Sequence, residues 1–356
     1  MITDDEAHTA LADWAIDQGF LPGDDAVVVH PWKILDFSSV FSVERVAHDG
    51  ARSGVFVKIP RVVVTRRAAL PSCEEDREMA RQELASLQYL ARHWQAGRVR
   101  YVQPLGFCRE HSAIVTRRAY GDDMFRTWRR HDLRRRRRPG RRDPMPEILS
   151  RLGAALRSYH DASVEQHRRP AVLSQPALTA NKIYRSLDRL RACGAQLSDT
   201  SELVDGLLAL VNDEVESPQA MTLKGLDLRN ILLEEDGRLT LLDPGRLKVD
   251  DPVADLARLV ATCRILYWGS PAFFMGFRPA AKYEQSLWDG YGRVAGPRRR
   301  LYDIYLMKEL LKQWVAAYTT MRRKSWPGLF RQTIARTYVD PFYRGEIRRE
   351  LARVAT

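Results

Sequence analysis

Two short apolar runs, residues 231–233 and 239–242, flank the polar turn Glu234, Glu235, Asp236 and Gly237, which is the pattern of a β-hairpin. Asn230 precedes the first run and Asp243 follows the second, so such a hairpin holds an amide and a carboxylate at its two mouths. Two hard oxygen donors on rigid strands suit Mg²⁺, which takes one or two protein oxygens and completes its shell with water and phosphate oxygens. The segment therefore reads as a nucleotide-phosphate site.

At 356 residues the chain exceeds one ordinary core, so two lobes are expected, and a hydrophobic content of 45% is enough to fill them. No window offers the long uncharged stretch of a spanning helix. The start, MITDDEAHTALADWAIDQGF, is acidic and amphipathic, so the expectation is a soluble, cytoplasmic protein. Cys73, Cys108, Cys193 and Cys263 are scattered without a C-x-x-C pair, which predicts reduced thiols and no structural zinc. Much of the +12 net charge sits in Arg129, Arg130, Arg134 to Arg138, Arg141 and Arg142. Pro139, Gly140, Pro144 and Pro146 surround the run with helix breakers, so a basic loop over 129–143 is expected. Its Arg134–Arg138 stretch is a candidate for an anionic membrane surface. No aromatic residues interleave the arginines, which counts against a nucleic-acid partner.

Residues 26–46 alternate apolar and polar positions and 54–60 form another strand-like run, so three antiparallel strands are expected. Ala80, Leu84, Leu87, Leu90, Ala91 and Trp94 recur at helical spacing, predicting a helix over 74–94. Strand character returns at 99–105 and 113–116. Beyond residue 118 the pattern is helical, over 147–161, 183–191, 201–215, 252–267 and 301–318. Lys58 lies between Val57 and Ile59 in a strand, where an ammonium needs a carboxylate or a phosphate, and Glu83 borders the apolar face of the helix that follows. A strand lysine paired with a helix glutamate over ATP phosphates is an arrangement used in phosphoryl transfer.

The chain resembles the protein kinase-like superfamily, in its small-molecule and glycan branch of aminoglycoside and choline phosphotransferases and lipopolysaccharide core kinases. The resemblance rests on Lys58, Glu83, the RRAYGDDMFRTW segment after Thr116, Asn230, the DPG at Asp243 to Gly245, and DPVADLARL from Asp251. It implies an α+β, bilobal fold: an N-terminal lobe over 1–118, an antiparallel sheet with one helix, and a mostly helical C-terminal lobe over 119–356 with a helical insertion at 170–216 that builds the acceptor pocket. It implies ATP and Mg²⁺ as cofactors, with Lys58 on the α- and β-phosphates, Glu83 holding Lys58, and Asn230 and Asp243 on the metal. Ser38, Ser39 and Ser42 occupy the place of the glycine-rich phosphate loop. The implied reaction moves the γ-phosphoryl group to a hydroxyl of a sugar, glycan or other small molecule.

One departure matters. The branch writes H-G-D-x-x-x-x-N, with the aspartate as catalytic base five places before the asparagine, whereas Gly225 stands there and Asp227 is the nearest carboxylate. Asp227 is assigned as base. Two alternatives stay open: a pseudokinase scaffold, favoured by the serine-only phosphate loop and the shifted Asp227, and a protein serine/threonine kinase, disfavoured by the short span from Gly245 to Asp251. Asp255 reads either as a brace for the catalytic loop or as a helix-dipole carboxylate, Arg246 as a surface arginine, and His160 as a satisfied core histidine outside the site.

Overall fold

The computed structural model describes all residues except 1–3, 22–25, 32, 36–37, 47–49, 51, 63–72, 95–96, 138–141, 168–171, 174–175, 198–201, 203, 207–215, 269, 280, 295–296, 324–326 and 355–356. By its contacts the chain divides into two units, residues 1–127 with 223–247 and residues 128–222 with 248–356. A division at residue 118 leaves the 223–247 hairpin with the later residues; the contacts group it with the earlier ones.

The first unit begins with helix α1 (Asp4–Asp17) and strands β1 (Ala26–Val29), β2 (Lys33–Ile34), β3 (Ser38–Val46) and β4 (Arg52–Pro60). Helix α2 (Glu74–His93) follows, then β5 (Val99–Tyr101), β6 (Pro104–Cys108), β7 (Ala113–Arg117) and β8 (Asp122–Asp123). The main sheet runs β1-β3-β4-β7-β6, with β2 on β3. Period-two alternation sends Phe41, Val43, Val55, Val57 and Ile59 to one face, where Leu11, Ala12 and Ala15 of α1 cover them. The opposite face carries Lys58 and its cross-strand neighbour Ile114, and Ile114 packs against Leu87 of α2, Val102 and Leu242. The sheet thus has a helix on each face; α1 is an addition to the one helix expected. The hairpin strands Ile231–Leu233 and Leu239–Leu241 pair antiparallel, and the second runs parallel to β5.

The second unit is mostly helical, as expected: α3 (Met124–Arg137), whose first turn belongs to the first unit, then α4 (Met145–His167), α5 (Pro176–Ala192), α6 (Val253–Arg264) and α7 (Pro271–Phe274). They are followed by α8 (Ala281–Tyr291), α9 (Pro297–Arg323), α10 (Gly328–Ile334), a π-helical turn (Ala335–Val339) and α11 (Asp340–Val354). Most of the helix expected over 201–215 lies outside the described residues. No helix among the described residues is long and apolar enough to cross a membrane.

The arginine run is a correction. Residues 124–137 are helix, not loop, because arginine is a strong helix former, the N-terminus is capped and a buried acid anchors the middle. Asp123 accepts the Arg126 amide at 2.8 Å at the N-terminus, and buried Asp132 draws in Arg136 at 2.9 Å and Arg135 at 3.3 Å. Tyr283 donates to the same carboxylate at 3.0 Å, and Tyr267 donates to it as well. Arg138 and Arg141 lie outside the described residues.

Helices α4 and α8 approach until backbone meets backbone. A Cβ on Gly290 would lie 1.8 Å from the Ser150 carbonyl oxygen, and one on Gly153 would lie 2.3 Å from that of Leu287. Alanine gains up to about 1 kcal/mol in helix propensity over glycine, but an overlap with backbone cannot relax by a rotamer change. Gly290→Ala is therefore expected to destabilise the protein by about 3 kcal/mol, the upper end for overpacking, read as a lowered midpoint in urea unfolding; an unchanged midpoint contradicts the close approach.

Candidate active site

The site is assembled from three stretches of the first unit. Alternation along β4 turns Lys58 away from α1, and its Nζ donates to Glu83 Oε1 of α2 at 2.6 Å. The same ammonium stands 2.9 Å from Asp243 Oδ1, at the end of the hairpin. Burial pulls the Lys58 ammonium down, but the charges of Glu83 and Asp243 outweigh it and hold the group above its usual range. Burial pushes the Glu83 carboxyl up, with the Lys58 charge opposing. Lysine held between two carboxylates stays charged at neutral pH.

Asp243 takes φ +44°, in the left-handed region that aspartate enters at some cost. Gly225 secures it from below: its N–H donates to the Pro244 carbonyl at 2.9 Å, and a Cβ on Gly225 would lie 1.8 Å from the Asp243 carbonyl oxygen. Asn230 is tied into the same knot. Its Nδ2 donates to Gly225 O at 2.9 Å, and its own carbonyl accepts the Leu242 N–H at 2.7 Å. With Nδ2 so occupied, Oδ1 of Asn230 is left as the side chain's acceptor, at the other mouth of the hairpin that ends in Asp243. Among the described residues no group of three or more His, Cys, Asp or Glu side chains gathers as a metal cage. The donor set here is a pair of hard oxygens, which fits Mg²⁺ completed by phosphate and water.

Asp227 caps the short 3₁₀ turn Leu228–Asn230 by accepting the Arg229 N–H at 2.9 Å. The Arg229 guanidinium clasps both carboxylate oxygens, Nε to Oδ1 at 2.8 Å and Nη2 to Oδ2 at 2.5 Å. Arg229 was not singled out from sequence, although an arginine two places after the assigned base is the signal that marks it.

The serines part company. Ser38, Ser39 and Ser42 belong to β3 rather than to a turn, a correction to the expected phosphate loop. The turn itself closes where the Leu35 N–H donates to Ser38 O at 2.8 Å, and residues 36 and 37 lie outside the described residues. Ser39 pairs with Ile59 and so shares the α1 face, opposite to Lys58. Ser38 and Ser42 share the face of Lys58, and Ser42 Oγ accepts from Arg118 at 2.6 Å. In the second unit, fully buried Asp255 meets His160 Nε2 at 3.1 Å and Arg258 at 3.3 Å, while His160 Nδ1 meets the Tyr291 hydroxyl at 3.1 Å. Arg246 is exposed.

The sequence signature of the phosphotransferase enzyme family, APH, matches residues 42–302. The chain belongs to this family. No curated protein matches it in sequence. Among solved structures, macrolide 2'-phosphotransferase of Brachybacterium faecium is similar at 18% identity and a TM-score of 0.52, with 93% of this chain and 98% of that one covered. Choline kinase of Streptococcus pneumoniae is similar at 12% identity and a TM-score of 0.53, covering 98% of this chain and 99% of that one. An amicoumacin kinase in complex with AMP-PNP, Ca²⁺ and amicoumacin is similar at 11% identity and a TM-score of 0.51, covering 97% and 96%. At such identities the likeness carries the fold: an α+β kinase-like chain with an antiparallel sheet early and helices late.

Proposed function

We propose that the protein is an ATP- and Mg²⁺-dependent phosphotransferase that moves the γ-phosphoryl group to a hydroxyl of a sugar, glycan or other small molecule. The observation that carries this reading is Lys58 held at 2.6 Å from Glu83 and 2.9 Å from Asp243, a cation between two carboxylates on rigid elements. Asn230 and Asp243 would hold the ion, which neutralises charge on the phosphate oxygens. Lys58 orients the α- and β-phosphates and Glu83 fixes the rotamer of Lys58. Ser38 and Ser42, on the face of Lys58, support the phosphates; Ser39, on the other face, has no such part. The named neighbours make macrolides, choline and amicoumacin sensible first acceptors to assay.

Asp227 receives the acceptor hydroxyl's proton. Its carboxylate is clasped by the Arg229 guanidinium, Nη2 to Oδ2 at 2.5 Å, which fixes its orientation, so it serves mainly to aim the hydroxyl, which suits a reaction in which positioning and charge dominate over covalent chemistry. Asp227→Asn is expected to lower kcat by about 10²-fold or more with nucleotide affinity unchanged, measured by ATP-coupled transfer and by titration with AMP-PNP. Undiminished kcat would remove Asp227 from the chemistry. The Asp227–Arg229 clasp also favours a second reading, a nucleotide-binding module without transfer. Single-turnover incubation with ATP, Mg²⁺ and an acceptor panel decides between them, since the module binds nucleotide and releases no ADP.

A further inference from the structure

Helix α3 sets many arginines and His131 against a single acid of its own, Asp132. The helical repeat sorts them onto two faces. Trp128 and Asp132, one turn apart, are buried, and Asp132 draws in Arg135 and Arg136. Arg126, Arg130 and Arg134 follow one another at four-residue steps, and all three are exposed. Each stands two residues from Trp128 or Asp132, about 200° around the axis, so the stripe lies on the opposite face of the helix. At 1.5 Å rise per residue the three are about 6 Å apart in turn. No acid of the helix interrupts them, and cations one turn apart repel each other.

A solvated arginine face alone means little; the place of this one gives it a use. The start of α3 is fixed against the hairpin that carries Asn230 and Asp243. Strand β8, which leads straight into the helix, pairs Asp123 with Leu232, two residues beyond Asn230. Asp123 then accepts the Arg126 N–H at 2.8 Å and meets the Arg126 Nε at 3.3 Å. The Arg229 guanidinium, which clasps Asp227, stands 6.0 Å from the centre of the Phe125 ring. Two exposed guanidiniums therefore flank Phe125: Arg126, 69% exposed, next to it in the chain, and Arg229, 52% exposed, against its ring. From that end the stripe continues along the helix through Arg130 and Arg134.

We propose that the acceptor is a phosphorylated sugar whose phosphate is taken by the Arg126, Arg130 and Arg134 stripe of α3. Guanidinium forks match phosphate oxygens two at a time, and an anion there relieves the repulsion along the stripe. A cationic acceptor such as choline, a quaternary ammonium, meets only like charge on this face. The inference rests on the phosphotransferase reading. In that reaction the bond from the γ-phosphorus to the bridging oxygen of ATP breaks, a bond from that phosphorus to the acceptor hydroxyl oxygen forms, and the hydroxyl proton passes to Asp227, so ADP leaves and the product carries one phosphate more than the acceptor brought. Of the Arg134–Arg138 stretch read from sequence as a membrane contact, Arg134 joins this face, whereas Arg135 and Arg136 are turned to Asp132.

The test is calorimetric titration of the full chain, first with AMP-PNP and Mg²⁺ and then, with that site filled, with fructose 1,6-bisphosphate, fructose and choline. The bisphosphate is expected to bind at least about tenfold more tightly than the other two, and more weakly as salt rises from about 0.1 to 0.5 M. R130E/R134E is expected to lose at least about tenfold of that affinity with AMP-PNP binding unchanged. R130Q/R134Q, which removes the charge without reversing it, is expected to fall between the two, and thermal unfolding checks both variants. Failure of AMP-PNP to bind the wild type overturns the phosphotransferase reading and this inference with it. If AMP-PNP binds, the inference alone is overturned by a bisphosphate no tighter than fructose, by choline as the tightest of the three, or by undiminished bisphosphate affinity in the variants. Binding of RNA or of phosphatidylglycerol vesicles that R130E/R134E abolishes, without binding of the bisphosphate, overturns it as well.

Discussion

Asp243→Asn is expected to lower phosphotransfer by about 10²–10³-fold, the loss seen when one preorganised electrostatic group is removed from a transition state. Two effects combine at this position. In the proposed reaction the carboxylate is one of the two oxygen donors for the metal, and in the structure it is one of the two charges that hold the Lys58 ammonium, at 2.9 Å. An amide keeps the shape and an oxygen donor but loses the negative charge that serves both roles. The side chain is 44% exposed, so folding should be little affected, and thermal unfolding run beside a single-turnover transfer assay separates the two effects. Activity within about threefold of wild type would detach Asp243 from the chemistry and with it the whole phosphate reading.

The second large effect runs against intuition. Putting an aspartate where the family carries its base, Gly225→Asp, is expected to abolish activity rather than raise it. A Cβ there would lie 1.8 Å from the Asp243 carbonyl oxygen and 2.9 Å from its carbon. Both chains are backbone at that point, so the hairpin end must move, and Asp243 leaves Lys58. A stability loss of about 3 kcal/mol is expected, with transfer lower than in Asp227→Asn. A gain in activity would show that the base belongs at position 225 and that Asp227 is only a cap.

The Lys58–Glu83–Asp243 cluster is legible in the sequence because the neighbours of these residues leave few choices. Lys58 sits between residues that alternation sends to the α1 face, so it had to point the other way, and a charged group there needs partners. The hairpin was legible from two apolar runs and a turn ending in Gly237. What stayed hidden depends on contacts distant in sequence. Helix 124–137 is hidden behind the flanking prolines and glycine, because besides arginine's own propensity it rests on a buried Asp132 reached by Tyr267 and Tyr283, and no local pattern announces such partners. The serines were misplaced because a run of Ser and Phe is read as a turn until β4 pairs with it. Alternation within that strand then splits Ser39 from Ser38 and Ser42. Gly225 was noticed as a missing aspartate; that its carbonyl anchors Asn230 was not readable from spacing.

The parallel pairing of Leu239–Leu241 with Val99–Tyr101 has a consequence for biosynthesis. The earlier strand leaves the ribosome long before its partner exists, and at ~5–20 residues per second the wait is on the order of ten seconds. Throughout that interval Val99 and Tyr101, both buried in the finished protein, have no hairpin to cover them. Nascent chains of this enzyme should therefore engage holding chaperones until the second piece of the first unit has been translated.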